Sequence, residues 1–93
     1  MTKFDFNDGK GPVAAHQHPN GGGWVADSTV VSDTAYVGPD AKVFGSARVF
    51  GNAWVFGKAR VSGNALVYDN AEVFGNALVA GNAEVAGDSV INS

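Results

Sequence analysis

The segment that decides the fold is VFGSAR-VFGNAW-VFGKAR, residues 43–60, in which one six-residue pattern occurs three times in succession. Each block has valine first, glycine third and alanine fifth. The same division runs from Val25 towards the end of the chain as eleven complete blocks without an insertion, followed by a truncated twelfth. A short, fixed period of this kind indicates a repetitive architecture.

The spacing within a block predicts short strands joined by corners. The fifth residue of one block and the first residue of the next are two apart, so both side chains point to the same face of a strand. The next two residues, such as Gly51-Asn52 or Gly63-Asn64, form a turn, because glycine and asparagine accept the positive φ of a tight corner. Strands this short cannot form hairpins that keep every inward row apolar. The pattern therefore predicts a coil in which each strand stacks in parallel on its equivalent in the next turn.

This pattern resembles the hexapeptide-repeat family of left-handed parallel β-helices, whose repeat has an aliphatic first position and a small fifth position. The resemblance covers residues 24–93. It implies an all-β solenoid with three strands in each coil, and the number of blocks then gives about four coils. The left hand is implied by the resemblance alone, since the general preference for right-handed crossovers points the other way.

Residues 1–23 depart from the repeat, and we interpret them as a cap and a loop leading into the β-helix of residues 24–93. Phe4-Asp5-Phe6 alternates as a strand does, and Asn7-Asp8-Gly9-Lys10 is typical of a hairpin turn. His16 to Gly23 predicts a flexible loop.

The end of a solenoid exposes an open core and unpaired strand edges. We therefore expect Phe4, Phe6 and Val13 to plug the first coil. The opening stretch, with its Asn7-Asp8-Gly9 and its His18 to Val25, is similar to that of small phage and prophage hexapeptide-repeat proteins, which implies a phage origin.

Stacking of every third strand sorts the outward residues into three faces. The first face carries Trp24, Ala26, Lys42, Phe44, Arg60, Ser62, Leu78 and Ala80. The second face carries Val30, Ser32, Arg48, Phe50, Leu66, Tyr68, Glu84 and Ala86. The third, which we call the aromatic face, carries Tyr36, Gly38, Trp54, Phe56, Glu72, Phe74, Val90 and Asn92.

Aromatic side chains outside a core that is already filled by valine and alanine usually mark an interface. The residues that we expect at an oligomer or partner interface are Tyr36, Trp54, Phe56 and Phe74 on the aromatic face, with Phe50 and Tyr68 on the second face. The alternative is that aromatic rings one coil apart stack on each other and stiffen the sheet without any partner. The resembling family is typically trimeric, so the resemblance implies a homotrimer, whose closed symmetry would hide the aromatic face.

Composition excludes several classes of partner. A net charge of −3 and a pI near 5.0 argue against binding to nucleic acid, which needs clustered lysine and arginine. The absence of cysteine excludes disulfides and thiolate metal sites. No apolar run has the length of a signal peptide or a membrane span, so we expect a cytoplasmic protein, or one in the host cytoplasm if it is phage-encoded.

Catalytic candidates are few. The resembling acyltransferases use a histidine that projects from a coil or an inserted loop, and the carbonic-anhydrase branch uses three histidines around zinc. Here the repeats have neither histidine nor insertion, and His16 and His18 in the cap are the weak candidates for a metal site at a threefold axis. We expect no catalytic residue and no cofactor, with both histidines hydrogen-bonded or facing solvent.

Three functions remain open. The first is a non-enzymatic structural or protein-binding module that acts as a homotrimer. The second is a phage-encoded inhibitor that binds and blocks a host defence protein. The third is a degenerate acyltransferase or a metal-dependent lyase, for which His16 or His18 would lie at a subunit junction.

Overall fold

A computed structural model of the chain describes residues 2–7 and 9–92. The described residues contain strands and turns but no helix, and therefore no helix that is long and apolar enough to cross a membrane. The strands are β1 (Lys3–Asp5), β2 (Pro12–Gln17), β3 (Trp24–Ala26), β4 (Val30–Val31), β5 (Tyr36–Val37), β6 (Lys42–Val43), β7 (Arg48–Val49), β8 (Trp54–Val55), β9 (Arg60–Val61), β10 (Leu66–Val67), β11 (Glu72–Phe74), β12 (Leu78–Val79), β13 (Glu84–Val85) and β14 (Val90–Asn92).

Strands β3 to β14 form three parallel stacks around a common core, which confirms the β-solenoid of about four turns. The stacks are β3-β6-β9-β12, β4-β7-β10-β13 and β5-β8-β11-β14. Trp24 pairs with Lys42 and Lys42 with Arg60, so each residue lies beside its equivalent eighteen positions later. The first, second and aromatic faces predicted from the sequence are the outer sides of these three stacks.

The core is built from the inward alanines and valines. Ala35, Val37, Val55, Ala59 and Val73 are fully buried, and the same two residue types recur at the equivalent positions of the other strands. Small alanine next to the corner leaves room for the chain to bend, while valine fills the space between the three sheets. Every inward position that the sequence predicts is buried through the middle turns.

Glycine at the corners permits close approach of successive turns. Gly63 has a φ of +64°, and a Cβ at this position would lie 2.8 Å from the amide nitrogen of Gly81 in the next turn. Asp69 occupies the equivalent left-handed position at another corner, with a φ of 61°. There the Asp69 carboxylate accepts a hydrogen bond of 3.2 Å from the amide of Gly87, which helps to compensate for the strain.

The segment before the repeats is a β-hairpin that extends the first stack. Strand β1 pairs with β2, and β2 pairs with the free edge of β3, in both cases antiparallel. The expectation that Phe4, Phe6 and Val13 plug the first coil is wrong. They form a second hydrophobic cluster on the outer side of the first face, where the rings of Phe6 and Phe44 stack at 4.9 Å. The outward Phe44 and Trp24 offer these rings an apolar surface, whereas the inner core is already filled.

The loop leading into the repeats is shorter and more ordered than expected. His16 and Gln17 belong to strand β2, because their backbones pair with Val25 and Trp24. The rest of the loop is hydrogen-bonded to the first turn of the solenoid. The amide of Gly23 donates to the carbonyl of Val37, and the amide of Val37 donates to the carbonyl of Asn20, both at 3.0 Å.

His18 is buried beside the first turn, where its ring lies within hydrogen-bond distance of the carbonyl oxygen of Ala35. Its side chain is 2% exposed at the start of the core. The hairpin turn predicted at residues 7–10 includes Asp8, which lies outside the described residues.

The two ends of the solenoid differ. In the last turn some inward positions become accessible: Ala83 is exposed and Ile91 is 37% exposed, whereas Val79 and Val85 stay buried. No described residue packs on that side of them.

We predict that Gly63→Ala destabilises the solenoid more than Gly87→Ala. The two glycines have nearly the same φ, +64° and +63°, but a Cβ at Gly87 would meet nothing within 4 Å. Both changes carry the cost of a left-handed alanine, about 1–2 kcal/mol, and the clash at Gly63 adds roughly 1–3 kcal/mol. Urea unfolding followed by circular dichroism measures the difference, and equal midpoints would contradict the close approach of the turns.

Candidate interaction surface

The aromatic face carries a continuous series of ring contacts. Tyr36 and Trp54 lie in register on β5 and β8, with ring centroids 5.1 Å apart. Trp54 contacts Phe56 edge to face at 6.0 Å, and Phe56 stacks on Phe74 at 4.9 Å with nearly parallel rings. The structure therefore brings together all four aromatic residues that the sequence assigned to this face.

These rings remain accessible despite their mutual contacts. Trp54 is 50% exposed, and Tyr36, Phe56 and Phe74 are half-buried. They cannot turn inward, because the valines beneath them already fill the core. Stacking within one chain covers only part of each ring and leaves an apolar surface open to solvent.

The second face has a smaller aromatic element. Phe50 and Tyr68 stack with centroids 4.9 Å apart and an angle of only 3° between their planes. Phe50 is 38% exposed, and exposed Arg48 lies in register with half-buried Leu66 beside this pair. This stack is isolated, whereas the rings of the aromatic face are connected across three strands.

The first face shows what the chain does with aromatic residues that it covers itself. Trp24 stacks on Phe4 at 4.7 Å, and Phe44 is only 7% exposed beneath the β1–β2 hairpin. The hairpin thus buries Phe44 and packs against Trp24, whereas Leu78, farther along the same face, is 64% exposed. On the aromatic face the backbone at Gly21 lies near the Tyr36 ring, and no described aromatic residue from outside the repeats stacks on this face.

The two histidines have different roles. The Nδ1 atom of His16 lies 2.6 Å from Oδ1 of Asp27, and both side chains are about half exposed. In His18 the Nε2–H donates to the carbonyl oxygen of Ala35 at 2.9 Å, which fixes the tautomer because a carbonyl can only accept. Among residues 2–7 and 9–92 no group of three or more histidine, cysteine or acidic side chains is placed to hold a metal ion.

Sequence reasoning missed two polar features. Asp27 becomes the partner of His16 only because β2 folds back on β3, which the spacing of the two residues does not show. A shallow depression of about 260 Å³ lies where the aromatic and first faces meet and is lined by Lys58, Arg60, Asn76 and Leu78. The eighteen-residue offset of Lys58 and Asn76 was the available signal for it, since equivalent positions stack.

Comparison with known proteins supports the architecture. A family model described as the YdcK beta solenoid repeat matches residues 59–73. These residues span β9 and β10 and reach into β11, which is most of one turn. The comparisons with curated proteins and with solved structures gave no match. Together with the stacked parallel strands, the matched repeat identifies the chain as a β-solenoid repeat protein.

We predict that His18→Ala lowers the free energy of unfolding by about 2 kcal/mol, because the carbonyl of Ala35 loses its donor in a buried position. His16→Ala, at an exposed ion pair, should change it by less than about 0.5 kcal/mol. Thermal unfolding of the wild type and of both variants, with and without EDTA, measures these losses of stability. A destabilising effect of EDTA would mean that the histidines hold a metal, and a larger loss for His16→Ala would mean that its contact with Asp27 outweighs the buried contact of His18.

Proposed function

We propose that this β-solenoid is a non-enzymatic structural or protein-binding module that acts as a homotrimer, with the aromatic face as its contact surface. The observation that supports the proposal most directly is the contrast between faces. The chain buries Phe44 under its own hairpin but leaves Trp54 half exposed. A second chain is the simplest cover for the remaining aromatic surface.

The energetics favour association through this surface. Aromatic side chains bury large areas, and each square ångström of apolar surface that is removed from water contributes about 25 cal/mol. The rings are also held in place by mutual stacking, so their side-chain entropy is already reduced before a partner arrives. Preorganised rings on a rigid sheet are typical of residues that dominate binding energy.

The threefold stoichiometry comes from the resemblance to the hexapeptide-repeat family. A threefold ring uses two different surfaces of each copy, so the aromatic face of one chain would contact another part of the next chain. Rigid stacking of turns suits this use, because the solenoid presents its outer residues at fixed spacing. Neither His16 nor His18 has a catalytic role in this proposal.

We predict that the Phe56→Glu/Phe74→Glu variant dissociates the trimer into monomers. Two carboxylates in the centre of the contact would remain unpaired and partly desolvated, which is strongly unfavourable. Light scattering after size-exclusion chromatography should give three times the 9.5 kDa of one chain for the wild type and one chain for the variant.

The matched control is Phe50→Glu/Tyr68→Glu, which removes an equally close stack on the second face. This control should leave the mass of the trimer unchanged, and far-ultraviolet circular dichroism should show that both variants keep their strands. If the control variant dissociates and the Phe56→Glu/Phe74→Glu variant does not, the contact between the chains lies on the second face. A monomeric wild type would contradict the proposed trimer, and the aromatic face would then bind a different protein.

A further inference from the structure

The shape of the solenoid restricts how its copies meet around a threefold axis. Three sheets meet at three corners in every turn, so the cross-section is a triangle. When such a triangle is rotated by one third of a full circle about an axis parallel to the solenoid, its orientation is unchanged. A flat face of one copy then meets a corner of the next copy rather than another flat face.

Only two of the three corners can take part in this contact. The corner of the neighbouring copy that points at the aromatic face is always one of the two corners that border the neighbour's own aromatic face. The opposite corner, which carries Ser46, Asn64 and Asn82 between the first and second faces, points away. This result does not depend on the hand of the coil.

The two remaining corners differ in charge. The corner between the aromatic and first faces carries Asp40, Lys58 and Asn76 from the first turn downward, and we call it the lysine corner. The corner between the second and aromatic faces, the aspartate corner, carries Asp33, Asp69 and Asp88, with Asn52 among them. Among the described residues of the aromatic face only Glu72 is charged, so the aspartate corner would bring like charges together.

The position of Lys58 along the solenoid axis also favours a contact with the aromatic face of the next copy. A rotation about an axis parallel to the solenoid does not change height, and Lys58 lies at the corner three residues after the end of β8, the strand that carries Trp54. In such a trimer, Lys58 of one copy would lie nearly level with Trp54 of the next copy. Glu72 pairs in register with Trp54, one strand spacing of about 4.8 Å away. An ammonium group at this place can approach both an indole ring and a carboxylate.

Both charges are available for such a contact. Lys58 and Glu72 are exposed, and neither forms an ion pair with another described residue. The depression lined by Lys58, Arg60 and Leu78 lies beside the same corner and would offer the Trp54 ring of a neighbouring copy a recess with an apolar wall and two cations.

We propose that, in the trimer on which this inference rests, the lysine corner of one copy packs against the aromatic face of the next, with Lys58 between Trp54 and Glu72. The partner is a second copy of this chain, and the contact is heterologous. It uses Lys58 as the group that selects one of two geometrically equivalent corners.

The test is a charge reversal at the corner. Lys58→Glu should weaken the trimer at least about tenfold, measured from the concentration dependence of the light-scattering mass, because it places a carboxylate beside Glu72. The exchange Lys58→Glu/Glu72→Lys should restore the trimer at the net charge of −3 that the wild type carries. Both positions are exposed, and the turn position of Lys58 elsewhere holds serine, asparagine and aspartate, so the variants should fold.

The control is Asn52→Glu, which places a glutamate after a glycine at the aspartate corner of the same turn. It should leave the trimer intact. If Lys58→Glu has no effect, or if Asn52→Glu alone dissociates the trimer, the lysine corner is not the contact. The proposed function still stands in that case, provided that Phe56→Glu/Phe74→Glu separates the chains. A monomeric wild type would overturn both.

Discussion

The structure depends on one repeated contact, the stacking of an inward alanine and valine on the same two residues in the next turn. Val37, Val55 and Val73 form such a row under the aromatic face, and all three are fully buried. Rows of equal side chains keep the strand spacing constant, which lets the backbones of successive turns pair in parallel without adjustment. The corner glycines serve this contact, because a Cβ at Gly63 would hold the turns apart.

The stability that comes from stacking of neighbouring turns is local. Each turn packs on its two neighbours, and the described chain has no element that crosses from one end of the solenoid to the other. The exception is the β1–β2 hairpin, which connects residues at the start of the chain with Phe44 in the second turn. Its aromatic cluster therefore secures the end where the pairing of β3 would otherwise stop. The last turn has no equivalent among the described residues, and its Ile91 is accordingly accessible.

The six-residue period was sufficient to predict the strands, the inward residues and the three outer faces, since each follows from position within a block. The location of the hairpin was not predictable in this way. Phe6 contacts Phe44 across a large sequence separation, and the spacing of Phe4 and Phe6 fits an inner plug as well as an outer cover. For the same reason the sequence placed Phe44 and Phe56 in equal positions, although the hairpin buries only Phe44.

The candidate surface was predictable as a set of residues but not as an exposed area. The sequence assigned Tyr36, Trp54, Phe56 and Phe74 to one face, and the structure places them in continuous contact. Their ring geometry depends on rotamers and on the absence of a covering segment, neither of which a repeat pattern encodes. The left hand of the coil stays a prediction from the family resemblance.

The inside and the outside of this solenoid repeat with different periods. Every block of six residues supplies the same inward pair, whereas an outward residue returns to its own face only after eighteen. Insertion or loss of a single block would therefore leave the core intact but rotate every later side chain to the next face. Phe74 would then no longer lie below Phe56. Gene rearrangements in this chain can consequently change its length freely, but they preserve its surface only in steps of a whole turn.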